Sequence, residues 1–303
     1  MFKAILMRTG HALLSMLALL IIVFGLVRLT GDPVRYLLPV ARTPAQEQHL
    51  REYLGLDKPL IVQFGTYVGN LVTGDLGNSF RMRMPVTDMI AQRLPATLKM
   101  GAAAILLTIL IGVPVGIYSA YWRGGILDRI GRFLAAFGQS VPNFWMGYVL
   151  ILIFAVQLKW LPSGGYGTLS HLLLPAITLS FHSTAGLVRL LRSSVIEVLN
   201  SDYIKFHRMK GLPEHVILWK HALRNAGLTA LSFAGMVVAA LFTGSVLVET
   251  VFVWPGVGRL MIEGIEWRDF NVVQGVILLF SVAYICANLL VDLLYIVLNP
   301  RLR

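Results

Sequence analysis

Residues 97–121 read TLKMGAAAILLTILIGVPVGIYSAY, with one cation, Lys99, and no acid. The hydrocarbon core of a bilayer takes about 20 apolar residues as helix, so this stretch is long enough to cross one. Five others have the same character: 9–30, 133–158, 172–192, 226–248 and 275–298. In lipid, only helices and closed barrels satisfy every backbone hydrogen bond. The apolar runs are continuous rather than alternating, which selects helices over barrel strands. The expected fold class is all-α, a polytopic membrane protein with six transmembrane helices.

Composition agrees. Of 303 residues, 56% are hydrophobic and 14% charged, against about 25% charged in a soluble domain. Polar surface is too scarce for one or two soluble domains. The net charge of +11 raises nucleic acid as a partner, but Lys and Arg lie between the apolar runs, as membrane orientation demands. Cys286 is the one cysteine, so there is no intrachain disulfide framework and no multi-cysteine metal site.

The positive-inside rule sets the orientation. Segments 1–8, 121–132, 189–225 and 300–303 hold 14 Lys/Arg, and the opposite short loops 157–171 and 249–274 hold 3. Positive loops stay in the cytoplasm, which places both termini there. Lys3 and Arg8 precede the apolar run His11–Val27, and Arg28 follows it. No small-x-small cleavage pattern follows, so this run reads as an uncleaved first span.

The chain divides into a first span (1–30), an exported segment (31–95) and a five-helix core (96–303). The exported segment carries Arg28 at its edge and seven more Lys/Arg from Arg35 to Arg93; long loops translocate regardless of charge. It reads as folded. Thr43-Pro44-Ala45-Gln46 has the form of a capping box with proline at the first helical position. Leu50, Tyr53 and Leu54 make an apolar face, and Gly55 stops the helix. A second helix begins near Pro59, with Leu60, Phe64, Tyr67 and Leu71 at helical spacing, and ends at Gly74. The pair forms either a cap over a pore or helices lying on lipid. Segment 157–171, with Trp160 and Gly164, Gly165 and Gly167, reads as a tight turn. Segment 249–274 is broken by Trp254-Pro255-Gly256. Glu249 there reads as a contact for an exported partner or as a solvated charge.

The most informative loop runs from Arg189 to Asn225. Within it, Asp202-Tyr203-Ile204-Lys205-Phe206-His207-Arg208-Met209-Lys210 reads as a short helix. Gly211 supplies a left-handed stop. Leu212 leads to Pro213, suited to the first turn of a second helix carrying Glu214, Val216, Ile217, Trp219 and Lys220. Exposed apolar residues beside cations on such an elbow suit docking.

The chain here resembles the permease subunits of bacterial ABC importers for dipeptides, oligopeptides and nickel chelates. Asp202, Tyr203, Lys210 and Gly211 fit the family's coupling elbow within 193–225, and His221, Ala222, Leu223, Arg224 and Asn225 fit its end. Gly31-Asp32-Pro33, Leu54-Gly55-Leu56-Asp57-Lys58-Pro59-Leu60, Gly74-Asp75-Leu76-Gly77 and Pro95-Ala96-Thr97-Leu98 also fit. So do Pro142-Asn143-Phe144-Trp145, Glu249-Thr250-Val251-Phe252-Val253-Trp254-Pro255-Gly256, Val291-Asp292-Leu293-Leu294 and Asn299-Pro300-Arg301. The matches span essentially the whole chain. Two positions depart: the family usually has alanine at His207 and proline at Thr229.

The resemblance implies a type I ABC importer permease with a MetI-like core in the bacterial inner membrane, forming half of a pathway for dipeptides or oligopeptides, with a nickel chelate as the close alternative. It implies a sister permease completing a heterodimer, two ATP-binding subunits that use ATP and Mg, and an exported solute-binding protein. The coupling residues it marks are Asp202, Tyr203, Lys205, His207, Lys210, Gly211, Leu212, Pro213, Val216 and Trp219. No phosphate-cradling Gly-x-x-x-x-Gly-Lys-Ser/Thr loop occurs in this chain, so it is expected to bind no cofactor itself.

Polar residues inside the apolar runs are candidates for a path or for helix contacts. Gln139, Ser140 and Asn143 interrupt the third run, and His182, Ser183 and Thr184 the fourth. Each is open to either reading. Asn288 and Asp292 lie four apart on the last run and read first as packing, with a polar seam as the alternative. His182 has no second ligand four residues away, so no metal site is expected. An ion-coupled transporter would need paired intramembrane acids or broken helices. A membrane enzyme would need a motif such as His-Glu-x-x-His or Gly-x-Ser-x-Gly, which is missing.

Overall fold

Every apolar run lies on helix, but one of them is broken. The computed structural model describes residues 2–30, 34, 43–53 and 55–298. Within these, side chains at 2–6, 26–30, 50, 53, 228–229, 231–232, 234–236, 238–243, 292 and 294–298 are outside the description, so the expectations for Asp292 and Thr229 lie there. The one β feature among the described residues is a bridge between Asn78 and Pro85.

Helix α1 spans Phe2–Thr30. Two short helices follow, α2 (Pro44–Tyr53) and α3 (Leu60–Val72). The predicted capping box is reciprocal: the Thr43 N–H donates to Gln46 Oε1 (3.0 Å), and the Gln46 N–H to Thr43 Oγ1 (3.4 Å). Past α2, the Gly55 and Leu56 N–H groups return to the Glu52 and Arg51 carbonyls. This is the paired bonding of a Schellman stop.

Helix α4 (Val86–Tyr121) starts well ahead of residue 97. Pro85 presets its entry, Asp88 meets the positive end of the helix dipole, and the Val86 N–H is taken by the Gly77 carbonyl at 3.0 Å. It then runs through Pro95 and Pro114, which neighbouring helices make tolerable.

The third run was expected as one span over 133–158, and here the structure differs. Helix α5 (Ile126–Ser140) meets α6 (Asn143–Leu150), which continues as π-helical turns through Gln157, at a bend of 110°. The cause is local: Val141 is extended (φ −96°, ψ 127°) ahead of Pro142, because proline pushes its predecessor out of the helical region and donates no N–H.

Helix α7 (Leu169–Leu199) leads to the elbow, α8 (Asp202–Met209) and α9 (Glu214–Val216), with π-helical turns over Ile217–Ala222. Helices α10 (Leu223–Val251), α11 (Val257–Glu266) and α12 (Phe270–Leu298) complete the chain. Among the described residues four helices are long and apolar enough to cross a bilayer, within α1, α4, α7 and α12, and the bent pair makes a fifth if it counts as one. The remaining predicted run, 226–248, lies inside the unbroken α10.

Close packing of α4 on α7 holds the centre. A methyl on Gly112 would lie 2.9 Å from Leu187 Cδ2, and one on Gly116 2.8 Å from Leu191 Cβ. Without a hydrophobic drive between helices in lipid, such close approach of small residues supplies the association. One buried cluster joins Met100, Leu174, Phe252 and Trp254. Another joins Ile117, Val195, Leu218 and Ala222, setting the second half of the elbow against α4 and α7.

Candidate functional site

The elbow is built by three local devices. Asp202 opens α8 and Arg208 sits in its last turn, each sign matching the helix dipole. Gly211 stops it at φ +75°: its N–H bonds the Arg208 carbonyl (2.9 Å), and the Leu212 N–H bonds that of His207 (3.3 Å). Pro213, extended at φ −68° and ψ 144°, then launches α9. Across the corner Arg208 grips Glu214 with two hydrogen bonds, Nε to Oε1 (2.8 Å) and Nη2 to Oε2 (3.3 Å). A bidentate fork of this kind fixes direction as well as distance.

One face of the elbow is anchored and the other is open. Ile204, Ile217, Leu218 and Ala222 are buried. Trp219 Nε1 donates to Tyr118 Oη (3.3 Å), tying the elbow to the end of α4. Outward stand Tyr203, Phe206, Met209 and Trp219, with Met209 78% exposed, among Lys205, Lys210 and Lys220. Lys210 Nζ lies 4.3 Å over the Phe206 ring. An apolar face rimmed by cations, held rigid from behind, suits docking on another protein.

The marked coupling residues therefore sit together. Asp202, Lys205, Lys210, Gly211 and Pro213 are exposed, and Leu212 and Val216 half-buried. The Lys205 ammonium, bonded to Asp202 Oδ1 at 2.9 Å, holds that carboxyl below its usual range. Glu214, through its hydrogen bonds, raises the Arg208 guanidinium. His207 lies between Tyr203 and His221, with ring centroids 4.4 and 4.0 Å away. Both of its nitrogens are buried without a hydrogen bond among the described residues. His221 Nδ1 shares a hydrogen bond with Tyr203 Oη (3.0 Å). Desolvation first, then His207, Lys220 and Arg224, lower the His221 pKa.

The candidate path residues separate into two places. Gln139, Ser140 and Asn143 meet at the α5–α6 bend. Gln139 lies beside Gly186 of α7, one turn from the exposed His182. Asn143 Oδ1 is buried without a partner among the described residues, whereas Ser140 Oγ returns to the Ala136 carbonyl (2.9 Å). Asn288 is elsewhere, in a cavity of about 250 Å³ with Arg8, His11 and Tyr284, and its amide bonds the Tyr284 carbonyl at 3.0 Å.

Sequence reasoning missed two polar clamps. Asp128 of α5 is buried and accepts Arg192 Nε (2.6 Å) and Nη2 (3.1 Å) from α7, Ser119 Oγ (2.9 Å) from α4, and the Gly124 N–H (2.9 Å). Its one signal was its standing as the sole acid in the basic loop 121–132. Glu249 overturns both readings made for it, being neither solvated nor available to a partner. It is fully buried, accepting Thr97 Oγ1 (2.8 Å) and the Arg259 N–H (2.9 Å). Its carboxylate thus stops the free N–H groups at the start of α11. Gly256 and Gly258 leave the room, since a methyl on Gly258 would lie 2.9 Å from Glu249 Oε2.

Comparison with known proteins agrees with this fold. Residues 112–303 match the family described as binding-protein-dependent transport system inner membrane component, and residues 1–101 match its N-terminal family. The glutathione transport system permease protein GsiC of Pectobacterium atrosepticum is 41% identical over 290 residues, covering 95% of both chains. A Brucella abortus protein, provisionally named a peptide transport system permease protein, is 38% identical over all of this chain and 99% of its own. In fold, the chain is similar to the inward-facing MetNI methionine ABC transporter, with a TM-score of 0.58 and 18% identity over 70% of this chain and 96% of that one.

Proposed function

Because the chain belongs to the family of binding-protein-dependent transport system inner membrane components, we propose that it supplies half of the pathway of an ATP-driven importer for short peptides. It is a multi-pass inner-membrane permease and not an enzyme; ATP is hydrolysed by separate subunits. Relatives named for glutathione and peptide transport support a cargo of the peptide class. In our reading a sister permease completes a heterodimer and two ATP-binding subunits use ATP and Mg. An external solute-binding protein delivers the cargo, and both termini face the cytoplasm with the elbow.

The observation that carries this reading is the elbow itself. Its buried side is locked to α4 and α7, and its open side is apolar and cationic. A rigid corner transmits displacement, and a partner shifts the permease only by binding the elbow differently in its two states. ATP-driven closure of the partners would move α8, and α7 and α10 would carry that movement into the bundle.

Gly211 tests it. Apart from its chain neighbours, no described atom lies within 4 Å of the place a Cβ would take, so a side chain there meets backbone strain and no clash. The left-handed geometry costs an ordinary residue about 1–2 kcal/mol. Gly211→Val is expected to abolish transport in proteoliposomes while membrane insertion persists, and Gly211→Asn to retain most activity. Full transport by the valine variant would refute the proposal.

A further inference from the structure

A polar pocket and an apolar groove meet where α1, α3, α4 and α12 converge. The pocket, about 270 Å³, is lined by Lys58, Asn70, Asp75, Asn271 and Gln274. The groove, about 550 Å³, runs between Leu20 of α1, Val68 of α3, Ile90 and Leu94 of α4, and Leu279 and Val282 of α12. Leu71, Leu76, Gly275 and Leu278 wall both, so the two are continuous. The site lies at the start of α4, whereas the elbow lies at its end through Tyr118. At 1.5 Å per residue the 36-residue helix separates them by roughly 50 Å.

Three features give this site a chemistry. Gln274 is only 8% exposed, and its Nε2 has no hydrogen bond among the described residues. A buried amide donor without an acceptor is costly, so the pocket is shaped for a ligand bearing one. Lys58 makes no ion pair among the described residues, and Asp75 uses only Oδ1, toward the Gly77 N–H (2.8 Å). Both residues line the pocket, Lys58 with no carboxylate on it and Asp75 with Oδ2 unused among the described residues. Meanwhile α3 turns Leu60, Ile61, Val62 and Val72 outward, with Ile61 81% exposed. Apolar side chains turned outward on such a helix suit a lipid boundary, which would set the pocket at headgroup depth and the groove beneath it.

From this juxtaposition we infer that the site binds a zwitterionic aminophospholipid. Its phosphate accepts from Gln274 and Lys58, its ammonium donates to Asp75, and one acyl chain lies in the groove. Lipid tails are as apolar as leucine, so the tail gains little by leaving the bulk bilayer for the groove. Selectivity must therefore come from the head.

The assembled importer, purified in detergent and equilibrated with phosphatidylethanolamine or phosphatidylglycerol, tests this by native mass spectrometry of retained lipid. Phosphatidylethanolamine should be retained preferentially. Gln274→Leu and the exposed-site Lys58→Ala should each weaken its retention about tenfold, and Asp75→Asn should erase the preference between the two lipids. Copurified ATPase subunits report that each variant is folded. Equal retention of both lipids, or retention unchanged in the variants, would mean annular lipid only and overturn the inference. Loss of solute-binding-protein docking in the variants, with lipid retention intact, would assign the surface to a protein and likewise overturn it.

Discussion

Removing the Asp128 carboxylate is expected to be among the most damaging single changes near the elbow end of the bundle. The side chain is 2% exposed and its partner Arg192 22%. Breaking a buried ion pair by deleting one member costs about 3–5 kcal/mol, because the other charge is left uncompensated. Asp128→Ala strands the Arg192 guanidinium together with the Ser119 hydroxyl and the Gly124 N–H, so about 4 kcal/mol is expected. Arg192→Ala leaves Asp128 with Ser119, Gly124 and Arg132, whose Nε is 3.6 Å away. Its expected cost is smaller, about 2 kcal/mol. The double variant should fall short of the sum by about 2 kcal/mol, as for groups in one network. Melting of the detergent-purified importer at a fixed scan rate, read by near-UV circular dichroism, gives the order: Arg192→Ala below the parent, and Asp128→Ala and the double variant together lowest, roughly 8 °C below the parent. The clamp joins α7, which leads into the elbow, to α5 and the bend. Surviving complexes should therefore hydrolyse ATP with less transport per turnover. Strict additivity, or an Arg192→Ala effect as large as that of Asp128→Ala, would refute the assignment of the carboxylate as the hub.

Two further outcomes follow from the same geometry. Glu249→Ala should destabilise the complex by about 3 kcal/mol, since Thr97 Oγ1 and the N–H groups opening α11 lose their acceptor. Glu249→Gln, which keeps an oxygen, should recover part of this in the same melting assay. At the elbow, the lowered His221 pKa means that a detached or unfolded elbow binds its proton first. That contribution is complete above the ordinary imidazole value of about 6.5 and is lost as pH falls below it. His207→Ala removes one source of the shift and leaves Lys220 and Arg224 acting on His221. Amide exchange over 202–222 should accelerate between about pH 7.5 and about pH 5.5 in the parent, after correction for intrinsic rates, and less in the variant. An equal response in both would contradict the role given to the ring pair.

How much was legible in advance divides by distance along the chain. Gly211, Gly55, the Thr43–Gln46 box and the apolar runs act through neighbours within one or two helical turns, and such signals are written locally. The Val141-Pro142 bend was also local, yet it was passed over because an apolar run of spanning length masked the break within it. The elbow residues were legible because Gly211 and Pro213 punctuate a run that is polar enough to stand outside lipid.

The amino-acid sequence by itself determined that this chain is a bundle of membrane helices with a glycine-hinged corner, since apolar length and helix stops depend on residues close together. Only the tertiary structure decided what the buried acids do. Glu249 meets Thr97 across 152 positions, and Asp269 meets Ser79 across 190. A carboxylate's environment is set by whichever distant donors the packed helices bring to it, and no local pattern encodes that meeting.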